Sequence, residues 1–233
     1  MRTNLERSAE TFGHSVEGTP LRVYLPDGAV ELLIVAGVHG EEPETTVTLS
    51  RALRQMDDAI SLKGVAVVLA MNPDGLVQGT RGNANGVDLN RNFPTTNWQI
   101  QPVSVRWHSD DDDSKIPIKT GTAPGSEPEV TAMVSLIERL APQSILALHA
   151  PLACIDDPTF SSLGDWLAEQ TRLPLVREIG YPVPGSMGTW AEENGYPIVT
   201  WEFPKASVEE LSNELGYVDH LRELITASGL VSP

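Results

Sequence analysis

A histidine and a glutamate lie three positions apart directly after an apolar stretch of the sequence. Residues 32–38 are apolar or small, His39 follows them, and Glu42 precedes a proline at position 43. Open α/β sheets place their ligand sites at the carboxyl ends of strands. Catalytic zinc needs about three protein ligands and one open position, and imidazole with carboxylate is a usual mixture. His39 and Glu42 are therefore candidates for two ligands of a metal site.

A third ligand is expected at the end of another strand, and the chain contains five histidines. His14 lies in a polar N-terminal stretch, His108 in a long loop and His220 in the last predicted helix. His149 directly follows the apolar residues 145–148, which makes it the best-placed candidate. A single histidine or glutamate at such a position is more often a core histidine or a helix cap. The combination of three favours a metal site.

Two arginines occur in a segment that is dense in glycine and asparagine. Arg81 precedes Gly-Asn, and Arg91 lies in the sequence Gly-Val-Asp-Leu-Asn-Arg-Asn-Phe of residues 86–93. A surface loop with solvated arginines is one interpretation, because glycine and asparagine permit tight turns with positive φ. A guanidinium flanked by amide side chains also binds a carboxylate in a bidentate manner. A peptidase that acts at a chain end needs such a site.

An acidic residue lies near the end of the apolar strand predicted over residues 198–203. Burying Glu202 there is costly unless the carboxylate has a function. Hydrolysis with zinc needs a carboxylate that takes a proton from water and passes it to the leaving amine. Glu202 is therefore the candidate general base, and an exposed glutamate at a strand end is the alternative.

The elements that must position these residues alternate along the chain. Five segments rich in apolar and β-branched residues are predicted as strands: 21–25, 32–38, 65–71, 145–148 and 198–203. Four segments have helical periodicity: 43–56, 127–140, 161–171 and 208–227, the last with Ser207 as a plausible N-cap. This alternation predicts an α/β sheet covered on both faces, and we expect residues 1–233 to form a single domain.

One long segment, residues 72–126, does not fit the alternation. It is rich in Asn, Gly, Pro and Asp, and a structureless loop of that length is usually functional or disordered. We interpret it as functional. The four aspartates at residues 110–113 are expected to form a solvated turn, with a calcium site as the alternative.

The charge of the chain restricts its expected partners. With 16 Lys and Arg against 32 Asp and Glu, the formal net charge is −16, which repels nucleic acid and anionic membranes. We therefore expect neither as a partner. The apolar runs are short for a membrane span, the N-terminus has no signal-peptide pattern, and Cys154 is the single cysteine, so the cytoplasm is the expected compartment. A homodimer is compatible with the sequence, which does not specify an oligomeric state.

Taken together, these residues resemble the zinc carboxypeptidase family of M14 type over about residues 34–204. The motifs that carry the resemblance are His-Gly-Glu-Glu at 39–42, Asn-Pro-Asp-Gly at 72–75, Arg-x-Asn at 81–83, residues 86–93, Ser-Glu-Pro-Glu at 126–129 and the two strand-end residues His149 and Glu202. Residues 84–93, 151–158, 163–168 and 180–190 further resemble a bacterial cytoplasmic subfamily that hydrolyses the γ-D-glutamyl–meso-diaminopimelate bond of recycled cell-wall peptides.

The resemblance implies a fold and a metal. The fold would be α/β with a mixed, mostly parallel twisted sheet and helices on both faces. One Zn²⁺ per chain would be bound by His39, Glu42 and His149. Asp88 would orient His39 through the outer nitrogen of its ring and so fix the tautomer.

The resemblance also implies roles toward the substrate, a small peptide such as L-Ala-γ-D-Glu-meso-diaminopimelate. Arg81 would polarise the scissile carbonyl and stabilise the negative charge that develops on its oxygen. Asn90 and Arg91 would hold the terminal carboxylate, and Glu202 would be the general base.

Two positions depart from the family pattern. Digestive carboxypeptidases carry a substrate-covering tyrosine before the catalytic glutamate, and the short Gly-Ser-Met-Gly segment at 185–188 leads us to assign no tyrosine that role. The subfamily has an acid immediately after the third metal ligand, whereas this chain has Ala150. This difference indicates either a divergent pocket for the diaminopimelate side chain or an engineered change at position 150.

Two other functions are compatible with parts of the pattern. An acylase of the aspartoacylase or succinylglutamate desuccinylase type has a similar zinc site and acts on N-acyl amino acids, but the complete motifs at 72–75 and 126–129 favour the peptidase. A non-catalytic binding module could keep the fold and the metal. The presence of Glu202 with all three candidate ligands argues against it.

Overall fold

The computed structural model describes residues 9–56, 62–106 and 115–226. Ten strands lie in these ranges and are numbered in chain order: Glu10–His14 (β1), Pro20–Val23 (β2), Leu32–Val35 (β3), Val65–Val68 (β4), Val103–Arg106 (β5), Lys115–Ile118 (β6), Ser144–His149 (β7), Leu152–Asp156 (β8), Leu175–Val176 (β9) and Ile198–Pro204 (β10).

The same ranges contain seven α-helices and one 3-10 turn, Leu89–Arg91. The helices are Pro43–Gln55 (α1), Pro73–Gln78 (α2), Pro128–Leu140 (α3), Ser162–Thr171 (α4), Met187–Glu193 (α5), Val208–Asn213 (α6) and Tyr217–Thr226 (α7). Three of them begin with proline, whose fixed φ suits the first helical turn and whose missing N–H costs no hydrogen bond there. None of these described helices is long and apolar enough to cross a lipid bilayer.

Six strands form the central sheet in the order β4-β3-β7-β10-β8-β9. The first four are parallel, β8 is antiparallel to β10, and β9 is parallel to β8. The predicted mixed, mostly parallel sheet is thus confirmed. Because β3, β7 and β10 run in the same direction, their carboxyl ends lie at one edge of the sheet.

Helices cover both faces of this sheet, as the sequence predicts. On one face, Leu49 of α1 and Tyr217 of α7 belong to the same apolar cluster as Trp201 of β10. On the other face, Met133 of α3 and Trp190 of α5 cluster with Ile145 of β7. The two layers bury the strands on both sides, which explains why β3, β4 and β7 are almost entirely apolar.

The helix predicted over residues 208–227 is instead two helices, and residue 227 lies outside the described ranges. Gly216 interrupts the predicted helix with a φ of 69°, a left-handed conformation that glycine adopts without strain. The predicted N-cap is confirmed: Ser207 accepts a hydrogen bond from Glu210 N, and Glu210 accepts one from Ser207 N.

The segment 72–126 is more structured than the sequence predicts. It contains α2, the 3-10 turn, β5 and β6, so the expectation of one long structureless loop was wrong in this respect. Short elements separated by Gly and Pro escape detection because their patterns span too few residues. The aspartates at 110–113 and His108 lie outside the described residues.

Candidate active site

Strand pairing brings the predicted site residues to one edge of the sheet. His149 ends β7 and pairs with Glu202 of the parallel neighbour β10. On the other side of β7, Val35 of β3 pairs with Ala147, and the chain continues from β3 into the turn that carries His39 and Glu42. The carboxyl ends of three parallel strands thus supply the candidate ligands and the candidate base, as expected for an open α/β sheet.

His39, Glu42 and His149 form a compact buried cluster whose ligand atoms all lie within 4.8 Å of one another. His39 Nδ1 is 2.7 Å from Glu42 Oε1, and His149 Nδ1 is 3.2 Å from both His39 Nδ1 and Glu42 Oε2. Nitrogen ligands about 2.0–2.1 Å from a tetrahedral zinc would be about 3.3 Å apart. Two imidazoles and a carboxylate at this spacing fit zinc in both donor type and geometry.

Asp88 holds His39 from the side opposite to the cluster. Its Oδ1 is 3.1 Å from His39 Nε2, so the neutral ring donates there and its Nδ1 lone pair faces Glu42 and His149. The Asp88 Oδ2 accepts from Arg81 Nε at 2.8 Å. Burial raises the pKa of Asp88, but Arg81 and His39 outweigh this effect and hold the pKa well below its usual range. Asp88 is therefore a stable anion that fixes the His39 tautomer.

The electrostatics of the cluster favour positive charge at its centre. Burial and the Arg81 guanidinium lower the pKa of His39, yet the carboxylates of Glu42 and Asp88 outweigh them and raise it to about 9. For Glu42, burial raises the pKa, but the two histidines lower it overall. The carboxylates thus supply a negative potential that a bound cation would neutralise.

Arg81 is fixed beside the cluster by several carboxylates. Besides its bond to Asp88, its Nη1 donates to Glu41 Oε1 at 3.1 Å and lies 3.6 Å from Glu42 Oε1. Sequence reasoning did not single out Glu41, although it belongs to the His-Gly-Glu-Glu motif. Its contact with Arg81 joins residues that are 40 positions apart, which only the tertiary structure reveals.

Gly40 and Gly75 allow close backbone contact between the His-Gly-Glu-Glu and Asn-Pro-Asp-Gly motifs. A Cβ added to Gly40 would lie 2.0 Å from the carbonyl carbon of Gly75, so no other residue fits at position 40 without movement of the backbone. Asn72 caps α2 by accepting from Gly75 N at 2.9 Å. The Asn-Pro-Asp-Gly motif therefore acts as a support for the turn that carries His39 and Glu42.

The Ser-Glu-Pro-Glu motif supports the arginine-bearing segment in a similar way. Asn83 Nδ2 donates to Glu127 Oε2 at 2.8 Å and to Glu129 Oε2 at 3.0 Å. Asn92 Oδ1 accepts from Glu127 N at 3.0 Å. These contacts hold the segment at both ends, on either side of Asp88, and so fix the position of that carboxylate beside His39.

Glu202 lies beside the cluster and is 8% exposed. Its Oε2 faces the backbone N–H of Leu152 at 3.5 Å. Burial, and to a smaller extent Glu42, raise its pKa, while His149, the Leu152 N–H and His39 act in the opposite direction. A carboxylate whose proton affinity is raised is suited to accept a proton from water and release it again.

Asn90 and Arg91 lie in the 3-10 turn that follows Asp88. Asn90 Oδ1 accepts from Met187 N at 2.8 Å, so the other end of its side-chain amide, Nδ2, is the donor. Arg91 is 6% exposed, and its Nη1 donates to the neutral carbonyl oxygen of Asn90 at 2.7 Å. Burial and the nearby Arg81 lower the pKa of Arg91, which Asp88 and Tyr181 oppose. Both side chains can still donate to a carboxylate.

Tyr181 was missed by sequence reasoning. It is half-exposed and close enough to Arg91 to influence its pKa. A tyrosine in the segment before Glu202 thus acts electrostatically on Arg91 of the candidate carboxylate site. The prediction that no tyrosine has this role was based on the glycine-rich residues 185–188. Position 181 lies only a few residues earlier in the sequence.

Position 150 does not face the cluster with its side chain. Ala150 is buried in the apolar cluster that contains Leu148 and Trp201, and its backbone N–H donates to Glu42 Oε2 at 3.2 Å. The Ala150 side chain therefore does not line the cluster, and a divergent pocket for the substrate side chain stays a prediction. Alternation along β7 explains the outcome, because neighbours of His149 point to the opposite face of the sheet.

Comparison with known proteins shows close relatives along most of the chain. The family model described as zinc carboxypeptidase matches residues 7–153. Murein peptide amidase A of Escherichia coli strain K12 is 45% identical over 221 residues, which cover 91% of this chain and 90% of that protein. The protein of the same name from Vibrio campbellii is 44% identical and covers 85% of this chain and 80% of its own length. The crystal structure of the murein-tripeptide amidase of Escherichia coli O157 superposes with a TM-score of 0.92 at 42% identity, covering 97% of this chain and 94% of that one.

Proposed function

The chain belongs to the zinc carboxypeptidase family of hydrolytic metallopeptidases, and from this membership we propose that it is a zinc-dependent amidase of murein tripeptide. It hydrolyses the bond between γ-D-glutamate and meso-diaminopimelate in L-Ala-γ-D-Glu-meso-diaminopimelate. The observation that carries the proposal is the cluster of His39, Glu42 and His149 next to Glu202 in a chain so similar to murein peptide amidases.

His39, Glu42 and His149 would hold one Zn²⁺ per chain, and Asp88 would keep the His39 ring in the tautomer that a metal ligand needs. When bound, zinc acts as a Lewis acid that lowers the pKa of water and polarises a carbonyl. The burial of all three side chains gives such a cation a site of low dielectric, in which its charge acts strongly on the substrate.

Glu202 moves the proton in the proposed reaction. Its carboxylate takes a proton from the attacking water, whose oxygen forms a new bond to the glutamyl carbonyl carbon. The C–N bond then breaks, and Glu202 delivers the proton to the departing amine of diaminopimelate. The products are the dipeptide with a free γ-carboxylate and free diaminopimelate.

Arg81 stabilises the negative charge that develops on the carbonyl oxygen during this attack. Its contacts with Asp88 and Glu41 hold the guanidinium in place before the substrate binds. Because the donor is already oriented, little reorganisation energy is needed in the transition state.

Arg91 and Asn90 bind the terminal carboxylate of the tripeptide. Arg91 is a buried guanidinium in a chain of strongly negative charge, and Asn90 presents its Nδ2 group after its Oδ1 has bound Met187 N. A bidentate pair with a carboxylate would stabilise the otherwise costly buried charge of Arg91.

The proposed setting is the recycling of cell-wall peptides in the cytoplasm. The subfamily resemblance supports it, and Cys154 as the single cysteine is compatible with a reducing compartment. That residues 1–233 form a single domain stays a prediction. That the protein is a homodimer stays a prediction as well.

A comparison of two peptides tests the carboxylate site. Adding D-Ala to the tripeptide converts the diaminopimelate carboxylate into an amide and leaves Arg91 without its charged partner, at a cost of about 2–5 kcal/mol. The enzyme is therefore expected to cleave the tripeptide roughly 30-fold or more faster than the tetrapeptide, measured as kcat/KM. Arg91→Ala should reduce the ratio of the two kcat/KM values, mainly by lowering kcat/KM for the tripeptide.

Arg139→Ala is the matched control, because Arg139 lies on the surface of α3 and pairs with Glu10. It should leave the ratio of the two rates unchanged. Equal rates for both peptides on the unmodified enzyme would show that recognition does not depend on the terminal carboxylate.

A further inference from the structure

The register of β8 and β10 extends the active-site face of the sheet beyond Glu202. In this antiparallel pair, Glu202 lies opposite Cys154 and Thr200 lies opposite Asp156. Residues directly opposite each other point to the same face, as do alternate residues of one strand. Asp156 and Thr200 therefore share a face with Glu202 and, across β7, with His149.

On the active-site face of β10, Ile198 is apolar, whereas the next positions toward the candidate base Glu202 are polar. The intervening residues Ile155 and Trp201 point to the opposite face, where they belong to the apolar cluster under α1 and α7. On the active-site face, Ile198 is buried against the second apolar cluster, whereas Thr200 and Asp156 are only partly covered. Asp156 and Thr200 thus form a partly exposed surface next to the buried Glu202, beside the site of hydrolysis.

Asp156 lacks a partner for one of its oxygens. Its Oδ1 is buried, and no residue of the described part of the chain donates a hydrogen bond to it. Buried polar atoms are nearly always paired, so an orphaned one often marks the place of a ligand or ion. Burial, with Glu202, Asp157 and Glu178, raises the pKa of Asp156 to about 6. The charged groups of the described residues that shift this pKa are thus all carboxylates.

We infer that Asp156, assisted by the Thr200 hydroxyl, receives the side-chain ammonium group of the residue that the enzyme releases. The inference rests on the proposed function, which makes that residue meso-diaminopimelate. Asp156 is then a specificity-determining residue that selects a cationic group at the far end of the leaving residue.

The dimensions agree with this assignment. Asp156 and Thr200 lie two residues along their strands from the pair that contains Glu202, a distance of about 7 Å. In diaminopimelate, five single bonds separate the carbon that carries the scissile nitrogen from the side-chain nitrogen, and they span about 6 Å when extended. An amine held with its scissile bond next to Glu202 can therefore reach Asp156.

The sign of the local charge selects the ammonium end of the side chain over its carboxylate. Glu202 and Glu178 add to the negative potential around Asp156, which repels a second carboxylate and attracts a cation.

Two tripeptides that differ in one amine test the inference: L-Ala-γ-D-Glu-meso-diaminopimelate and the same peptide ending in L-2-aminopimelate, which lacks the side-chain amine. The unmodified enzyme is expected to prefer the first by about 10²-fold in kcat/KM, since a buried polar group left without its partner is penalised strongly. Asp156→Asn keeps the shape of the side chain and removes its charge. This variant should reduce the ratio of kcat/KM values to a few-fold, mainly by lowering kcat/KM for the diaminopimelate peptide.

Asp165→Asn is the matched control, because it makes the same chemical change on the exposed surface of α4 and should keep the preference. Using the ratio of two substrates on one protein cancels losses of folded enzyme. Equal rates on the unmodified enzyme, or an unchanged preference in Asp156→Asn, would overturn the role of Asp156 while hydrolysis of the diaminopimelate peptide keeps the proposed function intact. If the unmodified enzyme cleaves neither peptide, the proposed function and the inference fall together.

Discussion

Replacing Glu202 with glutamine is expected to lower kcat by about 10²-fold or more while zinc and substrate remain bound. Glutamine preserves the size of the side chain but cannot take a proton from water. Glu202 is close to His149 through strand pairing and is not one of the three clustered candidate ligands, so the metal should be retained. Steady-state kinetics with the tripeptide, together with metal analysis of the purified variant, measure both effects.

The control for this variant is Glu192→Gln on the exposed side of α5. It makes the same chemical change away from the cluster and should leave kcat and zinc content unchanged. Unchanged turnover in Glu202→Gln would remove this residue from the mechanism. Loss of zinc together with turnover would instead indicate that Glu202 is a ligand.

His149→Ala is expected to abolish tight zinc binding and to lower kcat/KM by about 10³-fold or more. The variant removes one of three candidate ligands, and the Lewis-acid effect of a catalytic metal is worth several kcal/mol in the transition state. The Glu42 carboxylate that remains has lost one of the two histidines that lower its pKa, which further weakens the site. Zinc per chain, measured after dialysis, and kcat/KM for the tripeptide are the two readouts.

His14→Ala is the matched control, since His14 is exposed on β1. It should retain one zinc per chain and full activity. A circular dichroism spectrum that matches the unmodified protein excludes unfolding as the cause of metal loss. Full zinc and full activity in folded His149→Ala would show that the ligand assignment is wrong.

The fold was predictable where a pattern extends over many residues. The buried strands β3, β4 and β7 are continuous apolar runs, and α1 and α3 begin at prolines after polar residues, so their positions follow from local sequence. The antiparallel strand β8 was not predicted, because it is only five residues long, includes an aspartate and a cysteine, and shows no regular alternation of buried and exposed positions. Its role depends on pairing with β10, which is a property of the tertiary structure.

The site was predictable where a short motif specifies both the types of the functional residues and their spacing in the sequence. His39, Glu42, Asp88 and Arg81 fall in three motifs, and the structure brings them into direct contact. The orphaned oxygen of Asp156 is different, because it depends on which side chains of distant segments surround it. The direction of a side chain, as at Ala150, likewise requires the register of the strand and not only its sequence.

The most direct test of the proposed function is the identification of the products formed from L-Ala-γ-D-Glu-meso-diaminopimelate by the metal-free and the zinc-reconstituted protein. Mass spectrometry should detect free diaminopimelate and the dipeptide L-Ala-D-Glu with zinc, and intact tripeptide after the metal has been removed by a chelator. One zinc per chain should restore full activity. If the zinc-loaded protein leaves the tripeptide intact, cleaves the L-Ala–D-Glu bond instead, or is equally active without metal, the proposed function is wrong.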